Sequence, residues 1–359
     1  MKMKTLKTAI LMVIMAAFTA VVSCERNDDS TGNSTFGKGV FITNEGKFQT
    51  GTGTITFFDS DSNLVKQNIF EKVNGRPLGN VVQSMTILNG KAYIVVNNAA
   101  KIEVVDALTF KSEAVITSSQ SIGLPRYLLG INETKAYVSD WSGFVAVVDL
   151  PSNKVTQTIQ TGKGPEVMLK SGNYVYVANC GAFGIDNSIT VIDFSTDKVV
   201  KTIKVGDVPS GMVADAYGRI WVLCKGKGYA PWPAADDTRG CLTRINPATL
   251  EVDQTFLFWV TTDHPEKLVI NKQKSMLFCL YNNGIYYFDL TQQYPVPELL
   301  VSSRYFYALG YEDKTGYLYA ADAGDFSENG VVLRYKADNG ELVDSIQAGV
   351  IPGGFVFTE

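Results

Sequence analysis

The chain has few residues that could carry out catalysis. A single histidine, His264, excludes every metal site that needs two or more histidines. The sequence contains no G-x-S-x-G nucleophile motif, no phosphate-binding P-loop and no C-x-x-C pair. Asp236 and Asp237 could contribute to a calcium site, but adjacent loop acids are usually only solvated. The sequence therefore predicts no enzyme, no metal centre and no bound cofactor, and it favours a protein that binds a ligand without transforming it.

Residues suited to ligand recognition are more plentiful than catalytic ones. Aromatic side chains offer flat contact area, while amides, acids and guanidinium groups fix a ligand's orientation through hydrogen bonds. Taken singly, a loop aromatic more often packs against its own sheet, so the argument depends on where the set is gathered. The candidate ligand-binding residues are Arg126, Tyr127, Asp140, Trp141, Phe144, Asn179, Phe183, Tyr229, Trp232, Arg239, His264, Tyr281, Asn282, Arg304, Tyr305, Asp322 and Phe326.

These candidates are positioned by a repeated unit of four short strands. From Pro165 to Gly206, four apolar runs are separated by Gly, Asn, Asp and Ser, and the alternation in YVYVA and SITVI is typical of strands. The residue that ends the third strand recurs at intervals of 47, 43, 44, 53, 43 and 46. Those anchors are Asp59, Asp106, Asp149, Asp193, Asn246, Asp289 and Tyr335. Aromatic anchors that open the second strand are Phe41, Tyr93, Tyr137, Tyr176, Trp221, Phe278 and Tyr319.

The repeat predicts an all-β fold, a seven-bladed β-propeller with four antiparallel strands in each blade. The first blade, from Gly39 to Phe70, has only three strands. Gly353–Thr358, at the end of the chain, has the form of the missing first strand. We therefore expect the C-terminal strand to complete blade 1, and we expect residues 37–359 to form one domain.

The two faces of such a propeller should differ. Loops between strands two and three, and loops from one blade to the next, gather around the mouth of the central channel. The candidate residues fall in or beside these loops, which differ in every blade as recognition loops on a regular scaffold do. The opposite face carries the recurring Asp anchors, and we expect each Asp to cap its own turn.

The first residues have the pattern of an export signal. Lys2, Lys4 and Lys7 precede an apolar run from Ala9 to Val22 that is too short to span a membrane. The run ends in Ala20-Val21-Val22-Ser23-Cys24, which resembles a bacterial lipobox; the alternative is an ordinary secretory signal with an incidental cysteine. Residues 1–23 are thus predicted to be a lipoprotein signal peptide, and residues 24–36 a flexible tether lipidated on Cys24.

Two further observations concern the tether and the net charge. The segment Glu25–Ser30 resembles the acidic tag of surface-exposed lipoproteins of gut bacteria, although a plain solvated linker is equally compatible with it. Removal of residues 1–23 takes away three lysines and no acids, which changes the formal net charge from −4 to −7. Because no basic stripe remains, nucleic acid and anionic lipid are not expected partners.

Four cysteines follow Cys24, and an exported protein meets oxidising conditions, so three pairings are open. The repeat places Cys224 and Cys241 opposite each other across a hairpin. A disulfide between them would close the neck of the loop 225–240, although not every cross-strand register allows the bond. Cys180 and Cys279 are expected to be free, buried thiols.

The segments Tyr176–Asn179, Ile189–Asp193 and Val205–Pro209 resemble the YVTN-type propeller repeat. Together with the lipobox, the acidic tag and the aromatic, amide-rich loops, the chain resembles the cell-surface cobalamin-binding propeller lipoproteins of gut bacteria. The resemblance implies that cobalamin, or a related corrinoid, binds at the channel mouth and passes to an outer-membrane TonB-dependent transporter. It also implies a lipid-anchored protein on the outer membrane that faces the cell exterior.

Two alternatives belong to other functional classes. A glycan- or protein-binding surface propeller is compatible with the same loops, because Trp141, Trp232 and the tyrosines would also suit sugar stacking. A lactonase or lyase is less favoured, since it would require a cluster of acids, histidine or metal over the channel. The sequence alone leaves the ligand open between a corrinoid and a sugar.

Overall fold

The computed structural model describes residues 35–228, 234–262, 264–302 and 304–358, and they form an all-β structure. Seven separate four-stranded antiparallel sheets follow one another along the chain, which confirms the seven-bladed propeller. Within the described part of the chain, no helix has the length and apolar character needed to span a bilayer.

The strands are numbered in chain order and grouped by blade. Blade 1 contains β1 (Gly39–Asn44), β2 (Thr54–Asp59), β3 (Leu64–Lys66) and β28 (Pro352–Thr358). Blade 2 contains β4 (Val82–Leu88), β5 (Lys91–Val96), β6 (Lys101–Asp106) and β7 (Ser112–Thr117). Blade 3 contains β8 (Pro125–Gly130), β9 (Lys135–Asp140), β10 (Phe144–Asp149) and β11 (Lys154–Gln160). Blade 4 contains β12 (Pro165–Ser171), β13 (Tyr174–Asn179), β14 (Ser188–Asp193) and β15 (Lys198–Lys204).

The remaining three blades have the same order. Blade 5 contains β16 (Pro209–Ala214), β17 (Ile220–Cys224), β18 (Cys241–Asn246) and β19 (Glu251–Leu257). Blade 6 contains β20 (Glu266–Ile270), β21 (Met276–Tyr281), β22 (Gly284–Asp289) and β23 (Glu298–Val301). Blade 7 contains β24 (Ala308–Glu312), β25 (Tyr317–Asp322), β26 (Asn329–Lys336) and β27 (Leu342–Val350). A short α-helix, α1 (Ile69–Asn74), joins blade 1 to blade 2, and 3-10 turns lie at Asn97–Ala99 and Ser118–Gln120.

Blade 1 is completed by the C-terminal strand, as the sequence predicts. β28 pairs with β1 in an antiparallel register from Gly39 opposite Thr358 to Asn44 opposite Pro352. The Asn44 side chain also accepts a hydrogen bond of 3.0 Å from the Gly349 amide, near the end of β27 in blade 7. The ring is therefore closed by main-chain pairing between the two ends of the domain, which removes the free sheet edge that β1 would otherwise expose.

The core is divided among the contacts between neighbouring blades. Seven clusters of buried side chains lie one at each blade–blade interface, so every blade packs against both neighbours. In β13, Val175 and Val177 pack toward blade 3, whereas Tyr176 and Ala178 pack toward blade 5. Because successive side chains of a strand point to opposite faces, a strand buried on both faces must be apolar throughout. All seven predicted aromatic anchors of the second strand are fully buried.

The turns on the face opposite the channel mouth are capped as expected. The carboxylate of Asp106 accepts hydrogen bonds from the Leu108 and Thr109 amides, and Asp59, Asp193 and Asp289 make equivalent bonds in their own turns. These bonds favour the ionised form and hold the pKa of each of the four carboxyls below its ordinary value. The recurring Asp residues are therefore scaffold features.

Candidate functional site

Seven residues, one at or just before the start of the inner strand of each blade, surround the channel mouth. Each follows the proline, or its equivalent, that opens the strand. We call this set the mouth ring: Gln83, Arg126, Glu166, Ser210, Glu266, Tyr307 and Gly353. Because the inner strands converge on the propeller axis, side chains from separate blades meet here and form bonds that no single blade could make.

Arg126 and Glu166 form the best-defined contact of the mouth ring. Arg126 Nε donates to Glu166 Oε2 and its Nη2 to Oε1, both at 2.8 Å, while Nη1 donates to the Gln83 side chain. Burial alone would lower the pKa of Arg126, but the attraction and hydrogen bonds of Glu166 raise it above its ordinary value. A two-point pair of this kind holds both side chains in fixed positions.

Trp141 extends this contact toward the surface. Its Nε1 donates to Glu166 Oε2 at 2.6 Å, and the Arg126 guanidinium lies 4.0 Å from its ring centroid. Phe183 packs edge-on against the Trp141 ring with centroids 5.5 Å apart, and 86% of its side chain remains exposed. The predicted residues Arg126, Trp141 and Phe183 therefore form one ladder, with an ion pair at its base and a free aromatic face at its top.

A second part of the mouth is built around Glu45, which comes from the segment after β1. The Tyr307 hydroxyl donates to both Glu45 oxygens at 3.1 and 3.0 Å. The Lys267 ammonium lies 5.5 Å from the Tyr307 ring centroid. Burial raises the pKa of the Glu45 carboxyl above its ordinary value, against the opposing effects of Lys267 and the Tyr307 hydroxyl. Burial and the neighbouring Glu45 also raise the pKa of Tyr307.

Blades 5 and 6 contribute a third group. Lys225 forms a salt bridge with Glu266, and His264 Nδ1 donates to the Lys225 carbonyl at 2.7 Å. The other ring nitrogen of His264 and the Ser210 hydroxyl are buried without a hydrogen-bond partner among the described residues. A buried polar atom without a partner is costly, so these two atoms reduce the stability of this part of the mouth.

Exposed aromatic residues also flank the mouth at blade 7. Phe326 lies 6.4 Å from Tyr305 and 5.5 Å from Tyr307, measured between ring centroids. Tyr305 and Phe326 are both exposed. Arg304 donates to Asp322 at 2.8 Å through one terminal nitrogen, and its side chain is also exposed. This group belongs to blade 7, which is adjacent to neither of the blades, 3 and 4, that carry Trp141 and Phe183.

Four of the predicted ligand-binding residues are held in scaffold contacts. Asp140 is fully buried because it accepts hydrogen bonds from the amides of Gly123, Leu124 and Ser142. Asn179 is fully buried, and its Nδ2 donates to the hydroxyls of Ser188 and Thr190. Tyr281 lies in the core between blades 5 and 6, and Phe144 packs against the core between blades 2 and 3. We therefore remove these four from the candidate set.

The physical reason is the position of strand two within the blade. In blade 3 the last residue of this strand, Asp140, lies beneath the loop that arrives from blade 2, and its carboxylate accepts from the amides of that loop. In blade 1 the Asn44 side chain likewise accepts from the Gly349 amide, whereas Asn97, which directly follows β5, donates to the Pro125 carbonyl of blade 3. A sequence signal was available, because small polar residues recur at this repeat position, as scaffold residues do.

The remaining predicted residues are distributed around the mouth. Tyr127 is half-buried, and burial raises the pKa of its hydroxyl, which hydrogen-bonds to Gln83. Asn282 is exposed in a two-residue turn with Asn283, where both residues have positive φ. Arg239 is exposed. Tyr229, Trp232 and Cys24 lie outside the described residues.

The predicted disulfide is absent from the structure. β17 and β18 place Cys224 directly opposite Cys241, but both residues are free thiols, as are Cys180 and Cys279. Burial raises the pKa of Cys224, whereas a hydrogen bond from Cys224 lowers the pKa of Cys241 to about 7. The two thiols are thus in hydrogen-bonding contact without a covalent bond, since facing positions on paired strands do not by themselves supply disulfide geometry.

Sequence reasoning placed Glu166 in a channel-mouth loop but did not select it as a ligand-binding residue, and it missed four other mouth residues altogether. Glu45, Gln83, Glu166, Glu266 and Lys267 take part in the ion pairs and hydrogen bonds described above. The available signal was the Pro-led inner strand, because its second residue is charged or polar in several blades. Within the described ranges, no group of three or more His, Cys, Asp or Glu side chains is arranged to hold a metal ion.

Sequence comparison assigns the chain to a family. Residues 38–358 match the family described as Domain of unknown function (DUF5074). The chain belongs to this family. No curated protein matches this DUF5074 chain significantly in sequence.

Solved structures provide the comparison of fold. The chain is similar to hydrazine synthase of Kuenenia stuttgartiensis, with a TM-score of 0.61 and 17% identity over 75% of this chain and 87% of that chain. It is also similar to a Bacteroides fragilis NCTC 9343 protein provisionally assigned as a 6-phosphogluconolactonase, with a TM-score of 0.66 and 12% identity over 92% of this chain and 100% of that chain. At these identities the likeness establishes the fold alone.

Proposed function

We propose that this propeller is a binding protein that captures cobalamin, or a related corrinoid, on its channel-mouth face. The observation that carries the proposal is the arrangement of exposed aromatics around a polar mouth. Phe183 is exposed beside blades 3 and 4, and Tyr305 and Phe326 are exposed at blade 7. A ligand that contacts both groups must be broad enough to cross the mouth, and a corrinoid is a large disc edged with amides and carrying one phosphate.

The polar groups of the mouth suit the edges of such a ligand. Arg304 uses one terminal nitrogen for Asp322, and its exposed guanidinium has further donors for a phosphate or amide. The Arg126–Glu166 pair then serves as a rigid support for Trp141 and Phe183, rather than as a phosphate contact.

A binding function is favoured over an enzymatic one because the ionised groups of the mouth are engaged with one another. Arg126 is paired with Glu166, Lys225 with Glu266, and Glu45 accepts from Tyr307. A lactonase activity, which the name of the Bacteroides fragilis neighbour suggests, remains the enzymatic alternative. A glycan- or protein-binding surface propeller is the non-enzymatic alternative.

The proposal includes a cellular setting. A lipid on Cys24 would tether the protein to the outer membrane and present the mouth at the cell exterior. The captured corrinoid would then pass to a TonB-dependent transporter. This part of the proposal is supported by the lipobox-like segment before Cys24 and the acidic segment that follows it.

The test is to incubate purified protein with cyanocobalamin, separate free ligand by gel filtration and record the visible spectrum of the protein peak. We expect the corrinoid absorption to travel with the protein in a one-to-one ratio. Protein that elutes colourless at micromolar concentrations would refute corrinoid binding. Addition of a lactone substrate in a separate assay would reveal the enzymatic alternative through acid release.

A further inference from the structure

A groove of about 740 Å³ lies on the face opposite the channel mouth, between blades 5 and 6. One wall is the turn 215–219, between β16 and β17, together with the start of β19. The other wall is the turn at Lys274 and the loop 290–295, between β22 and β23. The groove is therefore separate from the mouth ring and shares no residue with it.

The floor of the groove is held in place by hydrogen bonds to one buried carboxylate. The buried carboxylate of Asp215 accepts from the Tyr217 and Arg219 amides, from Arg219 Nε at 2.6 Å and from Trp221 Nε1 at 2.9 Å. The Trp221 ring stacks on Phe256 with centroids 6.0 Å apart. A site supported in this way is organised before any ligand arrives, which lowers the entropic cost of binding.

Two guanidinium groups face the groove with most of their donors unused. Arg219 gives one N–H to Asp215, and Arg244 gives one, from Nε, to Asp253 at 2.7 Å. Their terminal nitrogens make no hydrogen bond to a described residue. Stacking holds both groups in place, because Arg219 lies 4.8 Å from the Tyr217 ring centroid and Arg244 lies 5.6 Å from that of Trp221.

The charge balance of the groove is positive. Asp215 and Asp253 are its two acids, and each is already paired with an arginine. Lys274 is exposed and enters no salt bridge with a described residue. The groove therefore has one ammonium group and several guanidinium N–H donors for an anionic ligand, and carboxylates match such donors well.

The rim of the groove is aromatic and amide-rich. Tyr217 is 81% exposed and Tyr294 is 67% exposed, although both belong to a groove rather than to a convex surface. Gln254 on one wall donates through its side-chain amide to the main-chain carbonyl of Gln293 on the other wall, at 3.4 Å. Flat aromatic faces beside amide donors and acceptors suit the apolar face and the hydroxyls of a pyranose ring.

From these features we propose that the groove is a second binding site, for a saccharide that carries carboxylate groups, such as a uronic acid oligomer. Lys274, Arg219 and Arg244 receive the carboxylate, while Tyr217 and Tyr294 contact the sugar rings. The proposal is independent of corrinoid binding, since the two sites lie on opposite faces.

The experiment is titration calorimetry of the intact propeller with trigalacturonate, with maltotriose as a neutral trisaccharide and hexaglutamate as an acidic peptide. We expect trigalacturonate to bind with an affinity that falls as salt is raised, because the attraction between charges is screened. Tyr217→Ala and Lys274→Gln should each weaken binding about fivefold or more.

Matched controls separate this site from the mouth. Lys111→Gln changes an exposed lysine outside the groove, and Phe183→Ala removes an exposed aromatic at the mouth; both should leave trigalacturonate affinity unchanged. Conversely, Tyr217→Ala should leave cyanocobalamin binding unchanged. Failure of trigalacturonate to bind, equal binding by the groove variants, or tighter binding of maltotriose or hexaglutamate would each overturn the proposal.

Discussion

Arg126 and Glu166 lie on the inner strands of neighbouring blades and face each other in a two-point ion pair with both N–O distances at 2.8 Å. Only 13% of the Arg126 side chain is exposed. The pair links blade 3 to blade 4 at the channel mouth and fixes Trp141 through a shared carboxylate oxygen. The same contact thus links two blades and positions Trp141 in the proposed binding site.

Replacement of Arg126 by Ala should therefore destabilise the propeller. The Glu166 carboxylate would stay buried without its cation, and breaking a buried pair in this way costs about 3–5 kcal/mol. Chemical denaturation measures the loss. The matched control is Lys91→Ala, which removes a half-exposed pair with Glu113 and should cost about 1 kcal/mol or less. Equal losses of unfolding free energy from the two substitutions would show that the buried mouth pair stabilises the protein no more than the half-exposed pair does.

Deletion of residues 352–358 tests the ring closure. Without β28, β1 would present an unpaired edge at the centre of the ring, and blades 7 and 1 would lose their shared strand contacts. We expect aggregation and loss of a cooperative thermal transition, measured by light scattering and circular dichroism. A truncated protein that melts like the intact chain would contradict the closure.

Substitution of Glu45 by Gln tests the buried carboxyl of the mouth. Burial raises the pKa of Glu45 above 4.5, so the folded protein holds this proton more tightly than the unfolded chain does. The stability that it contributes is present below pH 4.5 and is lost as pH rises through the folded pKa. The unfolding free energy of Glu45→Gln should therefore rise relative to the parent as pH increases from 4.5 through the folded pKa of Glu45.

The control for this pH experiment is Asp106, whose pKa is shifted in the opposite direction. Hydrogen bonds from Thr109 hold the pKa of Asp106 below 3.8, so its contribution is present above that pH and is lost as pH falls. Relative to the parent, Asp106→Asn should therefore lose stability as pH rises from the folded pKa of Asp106 to 3.8. Parallel pH profiles for the two variants would refute the assignment of the Glu45 shift.

The exposed aromatics of the mouth should determine corrinoid affinity. Phe183→Ala removes the free face of the Trp141–Phe183 ladder, and loss of a stacking anchor typically costs about 2 kcal/mol, or about thirtyfold in affinity. Calorimetry with cyanocobalamin measures the change. Lys198→Glu, at the start of β15 on the opposite face, should change affinity less than about twofold. Similar losses of cyanocobalamin affinity in Phe183→Ala and Lys198→Glu would show that the ligand does not bind specifically at the mouth.

Replacement of Cys24 by Ser should release the protein from the membrane fraction. The thiol is the predicted site of lipidation, and it precedes Phe36, the first described residue of the chain that packs into the propeller core. Fractionation followed by detection of the protein measures the release, and a thermal melt of the released protein tests its fold. A Cys24→Ser variant that still sediments with membranes would mean that something other than acyl chains holds it.

Much of the fold is determined by local sequence. The uninterrupted apolar run Tyr174–Ala178 specifies a strand buried on both faces, because successive side chains of the strand pack alternately against the two neighbouring blades. The aromatic of the second strand repeats once per blade and is buried in each. The sequence pattern of the last strand was likewise sufficient to predict that it pairs with β1 and closes the ring.

The site was decided by the tertiary structure. Asp140 and Trp141 are consecutive, yet Asp140 is buried under a loop while Trp141 packs against Arg126, which comes from a different strand. Likewise, Tyr217 and Tyr294 become one groove only because blades 5 and 6 pack side by side. The sequence determines which way each side chain leaves its strand, since that depends on local backbone geometry. Which loops of other blades it then meets depends on how the ring closes, and no local pattern contains that information.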